Sequence, residues 1–177
     1  ESEPGPGRLE NAMALDRLWK NWRIVASGYA AVWAEENTRE AIFEAFKRRE
    51  VYATTGSRIG VRFFAGWNYE ESDLHGRGLL DVAYGSGVPM GGDLTAAPEG
   101  KSTRFLLVAT KDPNGANLDR VQIIKGWLNA DGKLQEKVYD VAWSGDRLPD
   151  KTTGKLSAVG NTVDVASATY QNTIGAP

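Results

Sequence analysis

Between Tyr29 and Arg58 the chain reads as a strand, a capped helix and a second strand, a complete unit with polar residues at the end of each strand. Residues 29–33 (YAAVW) form a short apolar run of the kind that makes a buried strand. Asn37 stands three residues before Glu40, the spacing of a capping box. The Asn37 side chain then accepts an orphaned backbone N–H and Glu40 reaches back. Ala41, Ile42, Ala45 and Phe46 give the helix its apolar stripe, and Lys47, Arg48 and Arg49 fill its last turn, where cations complement the helix dipole. A second strand follows over residues 51–53 and ends in Thr54-Thr55-Gly56-Ser57. Strand, helix and strand in succession form a right-handed parallel crossover by strong default. In parallel α/β architectures ligands gather at the carboxyl ends of the strands. Residues 34–37 and 54–58 are the two loops that meet this description.

Upstream, Leu9, Ala12, Met13, Leu15, Leu18, Trp19 and Trp22 have the spacing of an amphipathic helix, with the tryptophans as packing aromatics. From Arg58 onward the apolar period changes to that of strands: Ile59, Val61 and Phe63 alternate with Gly60, Arg62 and Phe64. Residues 104–110, 120–128, 135–143 and 162–169 are further strand candidates. Asp112-Pro113-Asn114-Gly115 is a turn, and Asn129-Ala130-Asp131-Gly132 between two strand patterns is a hairpin signal. Residues 70–80 and 88–101 read as long loops. The expected fold is α+β: a partial α/β barrel unit over residues 1–57, then an antiparallel β-sandwich-like domain, without helices, over residues 58–177.

Composition narrows the chemistry. At 177 residues the chain supports one good core, or a small domain with part of another. A formal net charge of −2 gives no general pull toward nucleic acid or an anionic membrane, and no apolar run reaches the length of a membrane span. There is no cysteine, hence no disulfide and no thiolate metal site, and His75 is the single histidine. A zinc site would need carboxylates for nearly all its ligands, whereas magnesium, calcium or manganese can use oxygen donors. Absence of cysteine does not fix the compartment, since cytosolic and exported proteins alike can lack it.

Several residues invite a functional reading beside a plainer one. Glu35 and Glu36 can ligate a cation or share acid–base work, and they also suit the approach to a helix N-terminus. Thr54, Thr55, Gly56, Ser57 and Arg58 combine hydroxyls, amides and a guanidinium suited to phosphate oxygens; alternatively they are a hydroxyl-rich turn between domains. Gly91-Gly92 with Asp93 makes either a loop over a ligand or a tight turn. A carboxylate hydrolase would need two of Glu35, Glu36 and Asp93 across one cleft. His75 reads as a solvated loop histidine. Trp67, Trp127 and Trp143 can line a carbohydrate groove or pack a core.

Taken in order, WAEENTREAIFEAFKRREVYATTGSRI, VRFFAGW, GVPMGGDL, ATKDPNGANLDRVQIIKGWL and EKVYDVAWSG resemble the bacterial DUF3604 family, a family defined by a domain of unknown function. That family is similar to the polymerase-and-histidinol-phosphatase (PHP) superfamily of metal-dependent phosphoesterases on a distorted α/β barrel. The resemblance implies hydrolysis of a phosphate or phosphonate ester, with manganese, zinc or iron held by His-x-His and Asp-x-His segments. Neither segment is present here, so the resemblance implies the C-terminal portion of a longer member, inactive alone and without a cofactor of its own. Its expected contribution is a wall of the site: Thr55, Ser57 and Arg58 orienting a small anionic ester, with Glu35 and Asn37 shaping the rim. No nucleic acid or membrane partner is expected; packing on an N-terminal domain or homo-oligomerisation is. The alternative is a free-standing β-sandwich module that binds a ligand or another protein.

Overall fold

A computed structural model describes residues 28–164 and 166–177, so the helix expected over residues 9–22 lies outside the described residues. The chain divides into two compact units, one running through Arg58 and taking in Met90–Gly92, the other formed by Ile59–Pro89 and Asp93–Pro177.

In the first unit, β1 (Tyr29–Val32), α1 (Arg39–Arg48) and β2 (Val51–Thr54) follow one another as the sequence pattern predicts. Their pairing does not: β1 and β2 are antiparallel, with Tyr29 opposite Thr54 and Val32 opposite Val51. The parallel crossover is therefore corrected to a ribbon with a helix in its connection. The physical reason lies at the end of α1. Arg49 takes the left-handed conformation (φ 63°), and its N–H donates to the Ala45 and Phe46 carbonyls. The Glu50 N–H then donates to the Ala45 carbonyl at 3.1 Å and the Val51 N–H to the Arg49 carbonyl at 2.8 Å. This turns the chain from helix to strand within two residues, so β2 returns alongside β1. The Trp33 N–H extends the ladder to the Glu50 carbonyl at 3.0 Å, and the Trp33 and Tyr52 rings stack with centroids 6.0 Å apart.

Two local expectations shift as well. Thr38, not Asn37, caps α1: its backbone is extended and its Oγ1 accepts the Ala41 N–H at 3.2 Å. The apolar stripe is narrower than expected, since Ala45 is fully buried while Phe46 stays 48% exposed. Gly91 (φ +81°) passes so close to Arg49 that a Cβ there would lie 2.3 Å from the Arg49 carbonyl oxygen. Its glycine is explained by this backbone approach.

The second unit is built on a three-stranded antiparallel sheet in the order β4 (Gly87–Pro89), β3 (Gly60–Gly66), β5 (Arg104–Thr110). Phe64 faces Leu106 across it, and these two pack with Tyr69 and Ala83 into the buried cluster. Ala83 belongs to α2 (Leu79–Ser86); a 3-10 helix over Glu71–His75 and the start of α2 fall in the segment 70–80 expected to be a loop. The unit expected to lack helices therefore has one on its core face. Its pattern is too short to announce itself, and burial of Ala83 against Phe64 holds it in place. The Tyr69 hydroxyl donates to the Ala83 carbonyl at 2.5 Å.

β6 (Arg120–Leu128) and β7 (Leu134–Trp143) form the expected hairpin. Asn129 Oδ1 accepts the Asp131 and Lys133 N–H groups at 3.1 and 2.8 Å, which fixes the turn. The candidate strand over residues 162–169 is instead a tight hairpin of β8 (Val163–Asp164) and β9 (Thr169–Tyr170). Its turn is closed by Asp164 Oδ1 accepting the Ala166 N–H at 2.9 Å. Among the described residues every strand pair is antiparallel and no sheet closes into a barrel. The fold is mixed α and β: two α-helices and four small antiparallel sheets among the described residues.

Candidate functional site

Antiparallel pairing decides where the expected site residues fall. Thr55, Ser57 and Arg58 follow β2 and lie at the end of the ribbon where Tyr29 begins. Glu35 and Asn37 follow β1 and lie at the other end, beyond the Val32–Val51 pair. Four-residue strands separate the two ends by about 10 Å at the usual rise of a strand. The expected set of five is thus split into three and two.

The three form the better-built group. Thr54 Oγ1 accepts the Tyr29 N–H at 3.3 Å, tying the strand ends together. Gly28 (φ +114°) sits so tightly on Thr54 that any Cβ would overlap its carbonyl. The Arg58 guanidinium lies 5.1 Å from the Tyr29 ring centroid, a cation–π contact that orients it. Thr55, Gly56, Ser57 and Arg58 are exposed. Two hydroxyls beside a guanidinium can bind and orient an oxyanion. At the opposite end, Glu35, Glu36 and Asn37 form an exposed bend leading into α1. Asp93 belongs to the other unit.

The concavities of the second unit include two of differing polarity. A polar cleft of about 420 Å³ is lined by Trp67, Asn68, Glu70, Lys101 and Arg104. Its polar groups hold the fold together: Lys101 Nζ donates to Asn68 Oδ1 at 3.0 Å, Arg104 Nη1 to the Tyr69 carbonyl at 2.7 Å, and Glu70 caps the 3-10 helix with Asp73. A more apolar groove of about 610 Å³ lies between Phe63 and Phe105 on one side and Ile123, Lys125 and Tyr139 on the other. The shifted ionisable groups are structural. Burial, then the charge of Asp73, pushes the Tyr69 hydroxyl up. Burial would raise the Asp119 carboxyl, but hydrogen bonds from Arg147 and Arg120 outweigh it and hold the group below its ordinary value. Asp150 and Asp164 are lowered chiefly by hydrogen bonds from Thr153 and Ser167 in their own turns.

The sequence model of the DUF3604 family, described as a protein of unknown function, matches residues 1–177. The chain belongs to the DUF3604 family. No curated protein and no solved structure matches it.

In this DUF3604 chain the described residues do not fit a divalent metal. No group of three or more His, Asp or Glu side chains converges among them, and His75 is exposed at the end of the 3-10 helix. No helix among the described residues is long and apolar enough to cross a membrane. The groove residues Phe63, Phe105, Lys125 and Tyr139 escaped the sequence reading. A signal was present: the hairpin turn at residues 129–132 fixes the register, and that register sets Lys125 opposite Lys137 on a face shared with Trp127 and Tyr139.

Proposed function

We propose that this DUF3604 chain is a substrate-holding part of a hydrolase acting on phosphate or phosphonate esters, and that it is not itself the site of bond cleavage. The reading rests on the resemblance to PHP phosphoesterases, with metal-dependent chemistry assigned to other parts of the family fold. The observation that supports it is the end of the β1–β2 ribbon, where Thr55, Ser57 and Arg58 are exposed in close succession after β2 and the Arg58 guanidinium lies over the Tyr29 ring. Glu35 and Asn37, at the far end of the ribbon, drop out of the substrate contacts. Among the described residues, the Thr55–Arg58 end carries neither a group of metal-ligating side chains nor a histidine, so the role derived for it is binding and orientation of an oxyanion.

The test is titration of the chain with phenylphosphonate, followed calorimetrically, beside an assay with bis-aryl phosphate esters and added manganese. The expected result is saturable binding weakened roughly tenfold in Arg58→Ala, as suits loss of a charge-assisted contact, with no turnover. Equal binding by the variant would remove the anion site, and metal-dependent turnover by this chain would overturn the division of labour. A second reading, a ligand-binding module independent of hydrolysis, is favoured by the groove of the second unit.

A further inference from the structure

The β6–β7 ribbon sets two cations directly opposite each other. Lys125 faces Lys137 across the ladder, an arrangement that destabilises a bare ribbon. The side chains respond by leaning apart, each along its own strand. Lys125 Nζ lies 5.1 Å from the Trp127 ring centroid, and Lys137 Nζ lies 4.8 Å from that of Tyr139. Neither ammonium forms an ion pair among the described residues. The nearby acid Glu136 cannot serve, because it is paired with Gly126 and so alternates onto the opposite face.

The lysine-bearing face also carries Ile123 and Tyr139, and both line a concavity with Phe63 and Phe105, whose rings stack with centroids 5.2 Å apart. Between them runs the groove of about 610 Å³ lined by Phe63, Phe105, Ile123, Lys125, Tyr139 and Val141. Its size falls within the usual range of small-molecule sites. In a closed sandwich these side chains would meet. Here Phe105, Tyr139 and Val141 keep 49%, 38% and 47% of their surface exposed. Apolar walls select an apolar body, and uncompensated positive charge along the same face selects an anionic head.

We infer that this groove binds an amphipathic anion, a molecule with an alkyl or aryl body and one carboxylate, sulfonate or phosphate head. The body lies between Phe63–Phe105 and Ile123–Tyr139, and Lys125 receives the head. The site belongs to the second unit and stands or falls separately from the Arg58 end of the ribbon.

Calorimetric titration of the chain with dodecanoate below its micellar concentration tests this, with dodecyltrimethylammonium as the cationic counterpart. Lys125 is exposed, so Lys125→Glu leaves packing intact, which near-ultraviolet circular dichroism checks. The expected result is one saturable site for dodecanoate, weakened roughly tenfold or more in Lys125→Glu. Binding is restored in Lys125→Arg and unchanged in the charge-matched control Lys151→Glu, and the cationic amphiphile does not compete. Absence of saturable binding, equal affinity in folded Lys125→Glu, or equal binding of the cation would overturn the inference. So would a dimer in sedimentation that excludes dodecanoate, because the groove would then belong to a second copy.

Discussion

Replacing Arg147 by alanine should cost the second unit about 2–3 kcal/mol, and the figure follows from what that side chain holds. Its Nη1 donates to Asp119 Oδ1 at 2.6 Å and to the Ser157 carbonyl at 2.7 Å. Its Nη2 donates to the Asp119 carbonyl at 2.8 Å and Ser144 Oγ at 3.2 Å, and its Nε to the Ser144 carbonyl at 3.0 Å. Arg120 donates to the Leu156 and Ser157 carbonyls, both at 2.8 Å, so two guanidiniums pin residues 156–157 to the β6–β7 ribbon. Breaking a fully buried pair costs about 3–5 kcal/mol, and an exposed pair contributes about 0–1 kcal/mol. Arg147 is 15% exposed and Asp119 36%, which places the loss between those limits. For a chain of this size that corresponds to a fall in melting temperature of about 4–12 °C.

Urea unfolding followed by tryptophan fluorescence measures the loss. Repeating it in acid separates the ionic part. The Asp119 carboxyl is lowered in the folded chain, so its stabilisation is complete above the ordinary aspartate value and disappears as pH falls through the depressed folded value. The penalty of Arg147→Ala should therefore shrink in acid without vanishing, since the bonds to carbonyls remain. Arg147→Lys should recover less than half of it, because an ammonium cannot span the same acceptors. A loss below about 0.5 kcal/mol at neutral pH, the level of an ordinary surface substitution, would refute the reasoning.

Three further substitutions probe the frame on which the candidate sites rest. Thr38→Ala should destabilise the first unit by about 1 kcal/mol through loss of the α1 cap, whereas Asn37→Ala should change it little; helical circular dichroism during thermal unfolding distinguishes them. Tyr69→Phe should cost about 1 kcal/mol at neutral pH by deleting the bond to Ala83. The same variant should lose less stability in alkali. The raised Tyr69 value means that stability, full below the ordinary tyrosine value, is lost as pH rises through it toward the folded value. Denaturation midpoints on either side of the ordinary tyrosine value check the sign.

What could be read from the residues was local, and what could not was pairing. The helix α1, the strand β3 and the Asn129–Gly132 turn each carry their geometry in a few adjacent side chains, and each formed where expected. The sense of β1 against β2 does not reside in either strand. It is set at Arg49, an arginine in a conformation usually given to glycine, so nothing in the sequence flagged the reversal. The split of the expected site follows directly: Thr55, Ser57 and Arg58 follow β2 at one end of the ribbon, and only the pairing sense could separate them from Glu35 and Asn37 at the other. α2 was hidden for another reason. Its eight residues are too few for a period, and glycines stand at positions 78, 85 and 87 in and around it, while the contact of Ala83 with the sheet is long-range.

The most direct test is a map of amide chemical shifts in the labelled chain during titration with phenylphosphonate. Shifts concentrated at Gly28, Tyr29 and residues 54–58, with residues 34–38 unmoved and the response lost in Arg58→Ala, are what antiparallel pairing and an oxyanion site at one end predict. Equal shifts at both ends of the ribbon would place the five side chains around one ligand and contradict the account.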